Sequence, residues 1–163
     1  MTQQLSSKLV WEQLCKQLFA VLGVVNAKGE ARTSGVVYTV NDFKLYIATN
    51  PDNWKAIHMS ANPHVSVTVP IARRIPLMPW VKIPAATITF NGLGSVQEPD
   101  DVDLRVLKGL LRGLEKDDDL LSTMCILAVE PVGEFVTYGV GVSLMTMRDA
   151  KKARGRAPVR ENQ

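Results

Sequence analysis

The sequence predicts an α+β domain, a small barrel of six antiparallel strands with helices packed at its openings. Three observations carry that prediction. β-rich runs separated by turn residues fill Phe19 to Thr49, valines alternate with polar residues from His64 to Val69, and leucines recur at helical spacing after Asp100. With 163 residues, 46% of them hydrophobic and 21% charged, the chain has room for one core and lies outside disordered compositions.

Leu5, Leu9, Leu14 and Leu18, with Val10, Trp11 and Cys15 close by, predict a helix over Ser6 to Gln17. The runs that follow, broken at Asn26-Ala27-Lys28-Gly29 and at Asn41-Asp42, read as a three-stranded meander. Asn50-Pro51-Asp52-Asn53 is a turn and cap cluster, and Trp54, Ile57 and Ala61 give a short helix that Asn62-Pro63 stops. Val65, Val67 and Val69 then mark a half-buried strand. Residues 71–84 hold three prolines in a mostly apolar stretch, which excludes the middle of a sheet and reads as an insertion.

Ala85 to Val96 reads as a long strand that bends at its glycines. Asp100 to Lys116 carries Leu104, Leu107, Leu111 and Leu114 on one face, with acids first and bases later as the helix dipole favours. Met124 to Val140 is the closing strand, with a kink or bulge at Glu130-Pro131-Val132-Gly133. The expected division is a domain over residues 1–147 and a basic tail over 148–163. From 148 to 160 there are six Lys and Arg against the single acid Asp149. That tail reads as a solvated terminus, with contact to nucleic acid or anionic lipid as the other reading.

No stretch approaches the roughly 20 apolar residues of a spanning helix, and no signal segment opens the chain, so a soluble cytoplasmic protein is expected. Cys15 and Cys125 are far apart and flanked by apolar residues, as small core hydrophobes would be. Only His58 and His64 are present, neither with an acid at metal-site spacing, so no metal is expected. Gly-x-Ser-x-Gly, P-loop and dinucleotide fingerprints are absent; Gly139-Val140-Gly141 alone does not make one. The remaining candidate is LYIATNPDNWK, where Thr49, Asn50, Asn53 and Lys55 gather where a strand runs into a helix. Such a junction offers N–H groups and one ammonium to a phosphate; an ordinary capped turn with an exposed lysine is the competing reading.

Those residues, with the Asn-Pro stop and the Val-rich strand after it, resemble the pyridoxamine 5′-phosphate oxidase-like superfamily of FMN-binding split barrels. In that family a meander ends in Tyr-Thr-Asn-x-x-Ser-Arg-Lys. The match runs from Phe19 to Val69, with Thr49, Asn50, Lys55, Asn62 and Pro63 on the pattern, and the later elements arrive in the family's order. The resemblance implies a split β-barrel and a homodimer with flavin at the interface. Lys55 would be the phosphate cation, Ala48, Thr49, Asn50, Asn53 and Trp54 would line the pocket, and Thr33, Ser34, Gly35 and Val36 would meet the ring. The cofactor is expected to be FMN, or a deazaflavin coenzyme as in related branches.

The departures are specific. Asn53 and Trp54 stand where the family often has Ser and Arg, and Ser34 stands where the oxidase has an arginine, so two phosphate cations are missing from the pattern. Replacements are sought in Arg73 and Arg74, or in Arg154 and Arg156. Arg154-Gly155-Arg156-Ala157-Pro158 only partly matches the oxidase's substrate-binding end, so a different member of the superfamily is expected. In the insertion, Leu77, Met78 and Trp80 would pack across a partner chain, shield a ligand or rest on a membrane. Tyr138 is the one proton donor to test, or an amphipathic rim residue.

Two functions follow. The first is hydride transfer between the flavin and a small organic acceptor. The second is a non-catalytic module that holds a flavin, deazaflavin or haem for storage, sensing or delivery. Nucleic acid is not the expected partner; a nucleic-acid binder acting through the tail would bind with strong salt dependence.

Overall fold

The computed structural model describes residues 3–75, 77–78 and 80–160. Strand β1 (Gln3–Gln4) leads into helix α1 (Ser7–Lys16), whose first turn is closed by the Ser6 hydroxyl accepting from Leu9 N at 3.2 Å. α1 buries Val10, Trp11 and Leu14. Strands β2 (Phe19–Val25) and β3 (Ala31–Val37) form a hairpin, and Asn26 Oδ1 accepts from both Lys28 N and Glu30 N inside its turn. Strands β4 (Thr39–Asn41) and β5 (Lys44–Thr49) form a second hairpin around Asp42 and Phe43.

Helix α2 (Trp54–Ala61) starts at Asn53, whose Oδ1 accepts from Lys55 N at 3.1 Å, and ends where Asn62-Pro63 denies it another turn. Strand β6 (His64–Ile71) alternates buried valines with outward polar residues. Beyond it the insertion has no regular element among its described residues, and Arg73 pins it by donating to Gly139 O at 2.7 Å. Strand β7 (Ala86–Gln97), a short 3-10 turn (Pro99–Asp101), helix α3 (Leu104–Leu111), helix α4 (Asp118–Ser122) and strand β8 (Cys125–Tyr138) follow. Helix α5 (Ala150–Ala153) and strand β9 (Arg154–Pro158) come last.

The described strands form one sheet, ordered β1-β9-β8-β7-β6-β2-β3, with β5 also pairing β8 and β4 pairing β5. It curls round the main core without closing, because β3 and β5 are not paired. The expectation of six antiparallel strands is therefore corrected to nine, with one parallel pair, β1 and β9.

The basic segment is likewise corrected from a solvated tail. Residues 154–158 pair with β8 and β1, and Ala153, Gly155, Ala157 and Val159 are buried. Gly155 is required there, since a Cβ on it would stand 2.7 Å from the Thr137 hydroxyl. The helix expected over Asp100 to Lys116 is shorter, because Arg112 turns left-handed at φ 48° and ends α3. Near the expected kink, two steps on β7 (Thr89 to Asn91) face four on β8 (Val136 to Val132), and Gly133 takes φ 73° in that bulge.

Phe43, Trp11, Phe135 and Phe90 meet edge to face in succession, with ring centroids 5.3–5.4 Å apart. Each such contact adds about 0.5–1.5 kcal/mol to plain burial, and the run ties α1 across the barrel interior. A smaller cluster of Val106, Leu107 and Ile126 seats α3 on β5 and β8, beside Tyr46 and Ala48. Cys125 is buried, as expected; Cys15 is exposed, against expectation, because it lies one position past the buried face of α1. Among the described residues no helix is long and apolar enough to cross a membrane.

Candidate functional site

The gap in the sheet is where backbone chemistry is left unused. β3 pairs only with β2, and Tyr38 N donates to Leu18 O just past its end. By antiparallel alternation the N–H and C=O groups of Gly35 and Val37 then point away from β2, towards the gap. On the other side, β5 pairs with β4 only through Lys44–Tyr46, so Ile47–Thr49 presents an unpaired edge. Apart from Gly35 O, which accepts from the Ser34 hydroxyl, the N–H and C=O groups on these two facing edges suit the hydrogen-bonding rim of a flat heterocycle.

Between these edges lies a slot of about 270 Å³ lined by Gly35, Val36, Val37, Ile47, Ala48, Thr49, Lys55 and Leu110. Each wall has a separate origin. β3 and β5 supply the two edges, α2 delivers Lys55 in its first turn, and α3 brings Leu110 over the apolar end. Lys55 is half-buried and is the one cation among the described lining residues. Its ammonium sits 5.3 Å from the centroid of the Trp54 ring, a cation–π contact that holds the charge near the slot. Slot and lysine together can take a small planar group with an anionic end.

Of the residues expected here, Gly35, Val36, Ala48, Thr49 and Lys55 share the slot. The others serve different purposes. Thr33 faces a separate 650 Å³ concavity on the outside of β2, β3, β6 and β7. The Ser34 hydroxyl donates to Gly35 O at 3.2 Å. Asn50 shapes its own turn, accepting from Asp52 N at 2.8 Å and donating to Thr123 O at 3.3 Å, and Asn53 is the α2 cap. Trp54 leans on Lys55 and on His58, whose ring centroid is 6.0 Å away.

None of the proposed replacement cations lines the slot. Arg73 is held by Gly139 O, Arg74 is exposed, Arg156 is paired with Glu134 at 2.8 Å, and Arg154 lines a 360 Å³ pocket with Tyr138. Tyr138 donates its hydroxyl proton to Met147 O at 2.7 Å, and Trp80 stands exposed on the insertion. Val37, Ile47 and Leu110 escaped the sequence reading. Strand alternation could have found Val37 and Ile47, whereas nothing local marks Leu110, which lies beside the leucines that define the face of α3.

Among the described residues no cluster of three His, Cys, Asp or Glu side chains could hold a metal ion.

A family model for pyridoxamine 5′-phosphate oxidase matches residues 8–110. No curated protein matches the sequence. Among solved structures, the chain resembles the heme storage protein HutZ of Vibrio cholerae, at 17% identity and TM-score 0.63 over 84% of this chain and 98% of that one. It also resembles a putative pyridoxamine 5′-phosphate oxidase of Listeria innocua, at 16% identity and TM-score 0.56 over 77% and 92% of the two chains. An F420 reductase aligns at 17% identity and TM-score 0.51, over 76% and 94%. Identities this low speak for the fold alone.

Proposed function

The chain belongs to the pyridoxamine 5′-phosphate oxidase family, and on that premise we propose a cytoplasmic, homodimeric oxidoreductase that binds FMN or a deazaflavin and transfers hydride to or from a small organic acceptor. The observation that carries this reading is the slot between β3 and β5, where two unpaired strand edges, an apolar wall and a single ammonium converge. The bound cofactor would supply the redox chemistry. The chain's part is to hold the cofactor and keep water from it. Lys55 would neutralise its phosphate, the Gly35 and Val37 backbone would meet the polar rim of its ring, and Leu110 would cover the apolar side.

At about 270 Å³ the slot is smaller than the roughly 300–1,000 Å³ typical of small-molecule sites. One chain therefore encloses only part of a mononucleotide, which supports a site completed by a second copy. A partner would also supply the missing cation, since a phosphate dianion removed from water needs more than one positive partner. The partial match of Arg154-Gly155-Arg156-Ala157-Pro158 to the oxidase's substrate-binding end supports an acceptor other than pyridoxamine phosphate.

The second reading is a non-catalytic holder of flavin, deazaflavin or haem. It is favoured by the described slot lining, which holds no carboxylate, imidazole or thiol, and by Tyr138 being committed to Met147 O. Titration of the protein with FMN and with the deazaflavin coenzyme, followed by turnover of the reduced cofactor with a quinone, separates the two. Binding with turnover is expected, binding without turnover selects the holder, and binding of neither cofactor removes the flavin reading.

Lys55→Ala tests the placement of the phosphate. A charge-assisted contact contributes about 1.5–3 kcal/mol, so affinity should fall roughly tenfold or more with the fold intact. Unchanged affinity would put the phosphate elsewhere.

A further inference from the structure

A second concavity is larger than the slot. A groove of about 910 Å³ runs between α1 and the tip of the β4–β5 hairpin, and it shares no described lining residue with the slot. Its apolar surface comes from Trp11, Phe43 and Cys15, and its rim carries Lys8, Lys16 and Arg160 against Glu12, the one acid among the described lining residues. The polar atoms of its floor are turned into the protein. Trp11 Nε1 and the Ser7 hydroxyl both donate to Val159 O at 2.9 Å, so neither donor is free for a ligand in the groove.

The hairpin tip gives a second, independent observation. Asp42 and Phe43 both adopt left-handed backbone, at φ 46° and 56°, in a two-residue turn where Asn-Gly would sit without strain. A bulky aromatic in that region is a true outlier, yet Phe43 is half exposed, edge-on to Trp11 at 5.4 Å, over the groove. Strain retained beside a cavity points to a use for the side chain it positions. The cations are placed to match. Arg160 is steadied by Glu130 at 3.0 Å, while Lys8 and Lys16 make no ion pair among the described residues.

We propose that this groove is a second ligand site, for an anionic amphiphile whose alkyl chain lies on Trp11 and Phe43 and whose carboxylate meets the Lys8, Lys16 and Arg160 rim. The volume falls within the range of small-molecule sites, roughly 300–1,000 Å³. A cationic rim around an apolar floor discriminates by charge as well as by chain.

The groove contains its own reporter. Cys15 is the exposed thiol in its lining, whereas Cys125 is buried and silent. The full-length protein is labelled with a maleimide at mildly alkaline pH, in the presence of dodecanoate below its micelle-forming concentration or of dodecyltrimethylammonium. Dodecanoate should slow labelling saturably, about fivefold or more, and the cationic amphiphile should not. The double variant Lys8→Glu, Lys16→Glu should lose the protection, its labelling rate being the same with and without dodecanoate. No slowing by dodecanoate, equal slowing by the cationic amphiphile, or protection retained in the double variant would each overturn the proposal.

Discussion

A single hydrogen in place of a side chain sets how closely α3 approaches the barrel. A Cβ on Gly109 would lie 2.5 Å from the Thr39 hydroxyl oxygen and 3.0 Å from its Cβ, so α3 or β4 would have to move. Leu110, the next residue, covers the end of the slot, and the close contact is therefore felt at the site. Gly109→Ala sets two effects against each other. Overpacking costs about 1–3 kcal/mol, and the better helix propensity of Ala returns about 1 kcal/mol. A net loss of roughly 1 kcal/mol is expected, read as a fall of a few degrees in Tm. Thr39→Ala in the same chain removes the nearest obstructing atom, the hydroxyl oxygen, and leaves only Cβ, so the pair should be more stable than the sum of the single changes. Simple additivity in that cycle would show that α3 does not rest on β4 through this contact.

At the scale of the element, α3 depends on one carboxylate. Asp103 caps it, accepting from Arg105 N at 2.8 Å, and the Arg105 guanidinium also donates to it at 2.8–3.2 Å. The Arg105 side chain is the main reason the Asp103 carboxyl falls from its ordinary 3.8 to about 2. A depressed carboxyl contributes stability above the unfolded value, and that contribution is lost as pH falls from about 3.8 through about 2. Amide exchange in α3, corrected for its intrinsic pH dependence, should therefore accelerate across that window. Asp103→Asn keeps the cap, since Asn is an equally good N-cap residue, and should remove that step; the same acceleration in the variant would assign it to other carboxyls. Caps of this kind are what the sequence made legible. α2 occupies Trp54–Ala61, as Asn53 before it and Asn62-Pro63 after it imply, and Thr49 and Lys55 flank that signal. β9 was hidden because Arg-Gly-Arg-Ala-Pro has no strand pattern of its own and is a strand only through β8, β1 and the room that Gly155 leaves for Thr137. The end of α3 was hidden for a similar reason. Arg112 adopts the left-handed cap that the neighbouring glycine would have been expected to take.

For the whole molecule, the outer face of the sheet connects fold to function. Phe19, Val37, Leu93, Val132 and Val136 are all at least 40% exposed there, and an exposed apolar patch on a sheet face is the mark of an interaction surface. Val132 also lines the 650 Å³ concavity beside Thr33, which the family resemblance assigns to the ring contacts and the slot does not include. A second copy packed on this face would cover the apolar residues and bring Thr33 to a boundary between chains, together with any cation that Lys55 lacks. Val132→Arg tests that arrangement because the side chain is exposed, so the fold of one chain has little reason to change. Sedimentation equilibrium should give two copies for the parent protein and one for the variant. Flavin affinity should fall in the variant by at least as much as in Lys55→Ala, because a monomer loses every contact its partner made. A monomeric parent would remove the dimer, and a monomeric variant with full affinity would place the whole cofactor site within one chain.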